Sequence, residues 1–515
     1  MKRRSLIGGS IGAVVGSKAL GGSALAGGAQ AEVSCEPCAR LDAREIPSPH
    51  AKLAVKPVMT NLIHSGAWEG PCRWNVEAVD KEAERVKSTY ARWAQDVKSG
   101  KVGFGAGAQV LEPALVTFSE TFNVPPAQFA ALEQDAQRVD AFYIEPRGSS
   151  LATFDIARRF HKPVILPGLN CRTVDIAAYA RSRGEEVFAV LDDAETRRMV
   201  SLLRARKVYR ETRILFPTER GFPAVASLSG VTDLQHLAEK YGVAVKTIPY
   251  REMANEVERV LGDKPAQEKA EQEAAALIRG AAQTYLDRKY VVRSLLFQQA
   301  VQNLMELHGS NAFTIECFEF CSSRLPQKWT ITPCLVHTLF KDRGIASSCE
   351  GDLGALLAMR MLMSLSGKSA HLGNMYLRND AVVINHSAPG IRMNGFDQPG
   401  LPYKLGRFVE SGWGTKAVVD FMQNQEKRAT VARVHPSADQ VLVMQGELVG
   451  SDGWDNDNLG CSVEARIRPA ASGKGERFVR RQMEFGNHLV WVYGDYSAEM
   501  HDLAGLLGME MELVR

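Results

Sequence analysis

The chain has 515 residues, 45% of them hydrophobic and 23% charged, a composition that fits a soluble globular protein with a real core. At ~150 residues per domain, that length allows roughly two to four domains. A formal net charge of +3 is small for this size and excludes a protein that holds nucleic acid by charge. Downstream of the N-terminus no apolar run is long enough for a membrane span.

Residues 1–31 have a basic start with Arg3-Arg4, a weakly apolar Gly/Ala-rich run broken by Lys18, and small residues at Ala29-Gln30-Ala31. This is the pattern of a twin-arginine signal, and it places the mature protein in the periplasm or outside the cell; a flexible tail on a cytoplasmic protein is the alternative. The twin-arginine route carries folded proteins, which suits a chain that takes up a metal before export. Cys35 and Cys38 form a lone CxxC with no second pair for a zinc site, so a small disulfide and two unpaired thiols both stay open. Cys317, Cys321, Cys334 and Cys461 stand among apolar neighbours and are expected to pack as small hydrophobes.

Along the chain, Val79, Val86, Tyr90 and Trp93, with Val76, predict an amphipathic helix over residues 76–98. "GFGAGA" at 103–108 is Gly-rich but has no Lys-Ser/Thr after it and no strand before it, so it reads as a loop leading to the strand "VLEPALVTF". Then "DAFYIEP", "PVILPG", "EVFAVLDD", "TRILFPT" and "VAVKTIPY" alternate with helical stretches, which predicts parallel sheets with helices on both faces. Ligands bind at the C-terminal ends of such strands, where Glu145, Arg147, Asn170, Asp192 and Asp193 fall. Residues 263–308 read as a long helical region, "AFTIECFEF" at 312–320 as a strand, and "TPCLVHTLFKDRG" as an apolar helix. Beyond about residue 400, "AVVDFM", "ATVARVHP", "QVLVMQGELVG", "CSVEARIRP" and "HLVWVYGD" alternate with hairpin-like spacing and predict an antiparallel barrel or sandwich, closed by a helix over "SAEMHDLAGLLG". The expected division is a signal at 1–31, a first α/β domain at 32–220, a second at 221–375, and a β domain at 376–515.

Chemistry concentrates in "SSCEGDLGALLAMRMLMSLSG", residues 347–367. Ser348 can cap a helix there, Glu350 and Asp352 complement its positive end, and Gly367 stops it. That role accounts for one carboxylate better than for two. The next segment reads as strand, turn, strand and places His386 at the end of an apolar strand. A carboxylate at a helix start and a histidine at a strand end can meet on one cation, and Mn²⁺ accepts both donor types; a hydrogen-bonded structural histidine is the alternative. Trp413 and Trp454 lie in Gly-rich loops and can stack on a sugar ring, whereas "GWDNDN" lacks a full calcium loop and reads as a polar turn.

In their order, "CEGD" before an apolar helix, "LSGK", "HLGN", "NHSAP" and the closing "GNHLVWVYGDYSAEMHDLAGLLGME" resemble the C-terminal half of the L-fucose isomerase and L-arabinose isomerase superfamily. Residues 312–390 and 484–510 carry the motifs. The resemblance implies Rossmann-like α/β domains with parallel sheets, then an antiparallel β-barrel-like domain. It implies Mn²⁺ or another divalent metal held by Glu350, Asn374, His386 and His488, with Glu350 and Asp352 in proton transfer. It further implies a small-molecule sugar as partner and a homo-oligomer whose subunits help complete the site; Trp413, from its loop, and Asn487 are the expected sugar contacts. Asn374 stands where the family has an acidic residue. It can offer an oxygen but cannot take a proton, so Glu350 acts alone or Asp352, Glu316 or Glu319 steps in; His371 is a further base or a structural histidine. The expected activity is a metal-dependent aldose–ketose isomerisation through an enediol. The alternatives are an exported sugar-binding relative without turnover, or an epimerase or lyase with another base.

Overall fold

Parallel strands covered on both faces are unbroken apolar runs, whereas barrel strands alternate. Both patterns take those forms in the computed structural model, which describes residues 50–66, 78–455 and 457–515. The signal segment, Cys35, Cys38 and Val76 lie outside the described residues. The first sheet is wholly parallel, with β1 (Leu53–Leu62) flanked on one edge by β2 (Ala108–Val110) and β3 (Ala114–Phe118) in succession. On its other edge follow β4 (Ala141–Pro146), β5 (Val164–Pro167) and β6 (Val187–Val190). The strand expected as "VLEPALVTF" is thus two short strands, interrupted where Pro113 removes a ladder donor.

A second parallel sheet has β7 (Arg213–Pro217), β8 (Ala244–Ile248), β9 (Ala312–Ile315) and β10 (Ser347–Cys349) in the order β10-β9-β7-β8. Here one expectation is corrected. "AFTIECFEF" is a strand only to Ile315, because the Glu316 side chain accepts the N–H groups of Phe318 and Glu319 and starts a helix at Cys317–Ser322. The long helical region is likewise two helices, Lys264–Gly280 and Arg288–Leu307.

The C-terminal part is a closed barrel. The strands β11 (His371–Arg378) and β12 (Ala381–His386) form a hairpin whose turn residues Asn379 and Asp380 both have positive φ. A separate two-stranded ribbon, β13 (Tyr403–Arg407) and β14 (Thr415–Val419), follows. The barrel continues with β15 (Arg428–Val434), β16 (Gln440–Asp452), β17 (Val463–Arg468) and β18 (Leu489–Tyr493). The order β15-β18-β11-β12-β17-β16 closes through a β15–β16 pairing, and β19 (Glu510–Val514) adds in parallel to β16. Closure removes the free edges that would otherwise template aggregation.

Between the second sheet and the barrel runs the helix Leu353–Ser366, which touches the helix Asp193–Arg210 on one side and β15 and β18 on the other. It is apolar on nearly every face, as a helix with no solvent face must be, and its one buried charge, Arg360, donates from Nε to Thr212 Oγ1 at 3.1 Å. Every residue from Leu353 to Ser364 is buried. Gly354 permits its close seat on the barrel, since a Cβ there would stand 2.9 Å from the Val434 carbonyl oxygen. Truncation of this helix should therefore be felt throughout. Leu356→Ala is expected to destabilise the protein by ~2–5 kcal/mol in urea unfolding, the range for a buried leucine lost from a packed core.

Candidate metal centre

The centre is built where β10 turns into the helix Leu353–Ser366. Two successive residues, Glu350 at φ +62° and Gly351 at φ +66°, occupy the left-handed region. Gly351 is needed there twice over, because a Cβ would also meet Ala224 Cβ at 2.8 Å. Glu350 has no such freedom, so its backbone is strained, and strain of this kind collects at functional sites. The turn presents the Glu350 side chain at the C-terminal edge of the second sheet, and the next residue, Asp352, caps the helix by accepting the Ala355 N–H at 2.9 Å.

Two histidines from the barrel meet that carboxylate. His386 ends β12, and its Nε2 lies 3.2 Å from Glu350 Oε1. His488 precedes β18 at φ +65°, and its Nε2 lies 3.0 Å from Glu350 Oε2. All three side chains are buried, and their ligand atoms lie within 4.8 Å of one another. Although Nε2 of His488 is close to the carboxylate, the approach lacks hydrogen-bond direction, so this buried atom has no hydrogen-bond partner among the described residues. Separations near 3 Å are those of neighbouring donors around an ion at about 2.1 Å. One carboxylate and two imidazoles are a donor set for Mn²⁺, iron or zinc.

Behind the donors stands a second layer. Asp352 Oδ2 accepts from His488 Nδ1 at 3.0 Å and from Arg433 Nη1 at 2.6 Å, and Ser227 Oγ is 3.2 Å from the same Nδ1. With Nδ1 engaged, His488 turns Nε2 toward Glu350, the orientation a carboxylate–histidine pair gives a metal ligand. On the other imidazole, Nδ1 of His386 lies 3.7 Å from Cys461 Sγ. Ser387 Oγ donates to Cys334 Sγ at 3.3 Å and stands 3.5 Å from Cys461 Sγ.

Electrostatics follow from this layout. Burial alone would raise the Glu350 carboxyl, but the hydrogen bond from His386 and the close approach and charge of both imidazoles hold it well below the usual range. For His386, burial is outweighed by Cys461 and Glu350; for His488, by Asp352 and Glu350. Both imidazoles are held above their ordinary value. The Asp352 carboxyl, pushed up by burial, is brought below normal chiefly by Arg433 and His488.

The structure gathers Glu350, His386 and His488 with Asp352 directly behind them, while Asn374 and Asn487 lie on another face. Asp352 has both oxygens committed to Ala355, His488 and Arg433, which is a positioning arrangement. Asn374 pairs with Asn385 across the β11–β12 ladder and so shares its face, opposite to that of His386. Its Oδ1 accepts from Asn487 Nδ2 at 2.5 Å. Asn487 in turn accepts the Met375 N–H. Trp413 lies in the turn between β13 and β14, where its carbonyl accepts the Phe408 and Val409 N–H groups. Trp454 packs under the Lys404 ammonium, 4.5 Å from the ring centre. Glu319 accepts from Thr218 and from the Glu219 and Arg220 N–H groups, and His371 is buried in the barrel against Trp491 and Phe421. Of the cysteines expected in the core, Cys334 is buried, Cys321 is exposed, and Cys461 faces His386. Sequence reasoning missed Arg433, Ser227 and the role of Cys461. The one available signal was a charged residue inside the apolar strand "ATVARVHP".

No family model matches the chain. It is similar to the sulfoquinovose isomerase of Clostridium sp. (strain MSTE9), at 23% identity over 349 residues, 65% of this chain and 73% of that protein.

Metal binding here requires unprotonated imidazoles, and both are held above the ordinary value of about 6.5. Mn²⁺ titrated calorimetrically into metal-free protein at neutral pH should therefore release protons, and affinity should rise with pH through the range above that value. Asp352→Asn should weaken Mn²⁺ binding about 10–100-fold, the usual loss when an outer-shell partner is removed.

Proposed function

We propose that this protein is a metal-dependent sugar isomerase that interconverts an aldose and a ketose through an enediol. The observation that carries the reading is the convergence of Glu350, His386 and His488 in a buried cluster with the donor chemistry of a divalent-metal site. The similarity to a sulfoquinovose isomerase supports the reaction class. In this reading His386 and His488 share the metal with Glu350, and Asn374, bonded to Asn487 on the other face of β11, takes no part in holding it.

When bound, a divalent ion would polarise the sugar carbonyl and the neighbouring hydroxyl. The chain's own groups do the rest. Glu350, kept ionised by the two histidines, is the proton acceptor at the cluster. Arg433 and Asp352 fix His488 so that its Nδ1 proton points away from the reacting centre. A proton shuttled between neighbouring carbons calls for a second acid/base group. We assign that role to Glu316, which is 1% exposed and whose carboxyl is raised by burial, with the charge of Glu350, against the lowering by the Glu319 and Phe318 N–H groups it accepts. Burial of the cluster also excludes the bulk water that would exchange the shuttled proton.

The cluster holds a single carboxylate, which favours, as a second reading, a sugar-binding protein without turnover. Turnover assays with Mn²⁺ on sulfoquinovose and on neutral aldoses separate the two. The isomerase reading expects ketose formation. Glu350→Gln should abolish both Mn²⁺ binding and turnover, while Glu316→Gln should lower kcat by about 10²–10⁴-fold with Mn²⁺ affinity retained, the loss typical of a general acid–base group. Sugar binding with no ketose formed from any of these substrates would favour the second reading.

A further inference from the structure

At the far side of the second sheet a cleft of about 1490 Å³ opens between the first sheet's helices and the segment after the hairpin. Two helices connect it with the Glu/His/His cluster. The helix Cys334–Asp342 starts beside Ser387 and ends in the cleft at Asp342, about 13 Å along its axis at 1.5 Å per residue. The helix Leu353–Ser366 starts beside Glu350 and ends at Gly367 in the cleft wall, about 21 Å along its axis by the same rise. The cleft is therefore a place apart from the metal centre.

Its charge is unbalanced. Lys52, Arg197, Arg204, Arg343 and Arg392 line it, against the carboxylates of Asp342 and Asp397. None of the five cations forms an ion pair among the described residues. Arg204 donates to the Ser364 carbonyl, Arg343 to Gln302 Oε1 and Arg392 to the Phe396 carbonyl, all neutral acceptors. Asp342 is already committed, since its Oδ1 accepts the N–H groups of Ile391 and Arg392. Elsewhere arginines find carboxylates readily, as buried Arg206 does with Glu186 and exposed Arg288 with Glu271. Arg204 is the most telling of the five, because it is partly buried without a counter-charge, and burial lowers its pKa. An uncompensated guanidinium in that position is unfavourable until an anion arrives.

The Gly-rich loop that sequence reading left without a role forms one wall. Gly103, Gly105 and Gly107 allow it to lie flat on two of the arginines. A Cβ at Gly103 would meet Arg197 Nη1 at 2.6 Å, and one at Gly107 would meet Arg204 Cδ at 3.2 Å. Among the described residues, the N–H groups of Gly105 and Ala106 donate to no acceptor. Guanidinium forks beside free backbone N–H groups are the donors that phosphate oxygens take.

We propose that this cleft binds a small, multiply charged phosphate-bearing anion, held by Arg197, Arg204, Arg343, Arg392 and Lys52 over the loop 103–107. The chemistry is shared by polyphosphates and by sugar bisphosphates. Isothermal titration of the full chain with inorganic tripolyphosphate and with a hexose bisphosphate, at matched ionic strength, tests the proposal and tells the two sources apart by which binds more tightly. Saturable 1:1 binding is expected, weakened tenfold or more in the double variant Arg197→Ala/Arg392→Ala. The thermal unfolding midpoint of that variant should stay unchanged; if it falls, Lys52→Glu at the exposed rim supplies the comparison and should show the same direction of loss. Absence of saturable binding by both probes, or binding that these variants leave intact, would overturn the proposal. Neither result bears on the metal centre, whose Mn²⁺ binding is read separately.

Discussion

Everything at the centre rests on one buried guanidinium. Arg433 is fully buried and donates to Asp352 Oδ2 and to the carbonyls of Ser229, Phe485 and His488. Those acceptors come from the helix start after β10, from the 222–231 loop and from the segment leading into β18. A buried arginine with fewer acceptors would be costly, and a buried Asp352 without it costlier still, since breaking such a pair leaves an uncompensated charge. The three segments must therefore come together in one arrangement, and that arrangement places His488 against Glu350.

Charge balance then explains what the cluster asks for. Arg433 neutralises Asp352, which leaves Glu350 as a buried anion among neutral imidazoles. A cation is needed, and two can supply it. Without a metal the histidines take up protons, which is why both are held above their usual value. With a divalent ion they give those protons up. The strained backbones of Glu350 and His488 fit the same account, because positive φ at both residues is maintained only where the surroundings over-determine it.

The alternating apolar runs from "DAFYIEP" to "VAVKTIPY" and the hairpin spacing beyond residue 400 were legible as parallel sheets and a barrel, because strand period and turn chemistry are local. Glu350 and His386 were legible as a helix-start carboxylate and a strand-end histidine able to share a cation, whereas His488 was legible only through short motifs resembling a family of isomerases. The split of "AFTIECFEF" was not, since a capping glutamate inside an apolar run overrides β-propensity without changing the periodicity. Nor was Arg433, because its partner Asp352 is 81 residues away and no pattern along the chain links them. Asn374 reads in sequence as a weakened ligand; in the fold, strand alternation turns it to the face opposite His386.

The measurement that tests the account most directly is anomalous diffraction at the manganese edge from crystals of the protein grown with Mn²⁺. One ion is expected, bonded to Glu350, His386 Nε2 and His488 Nε2, with Asp352 still on Nδ1 of His488. A manganese peak elsewhere, or an empty cluster with both histidines still against Glu350, would contradict the account.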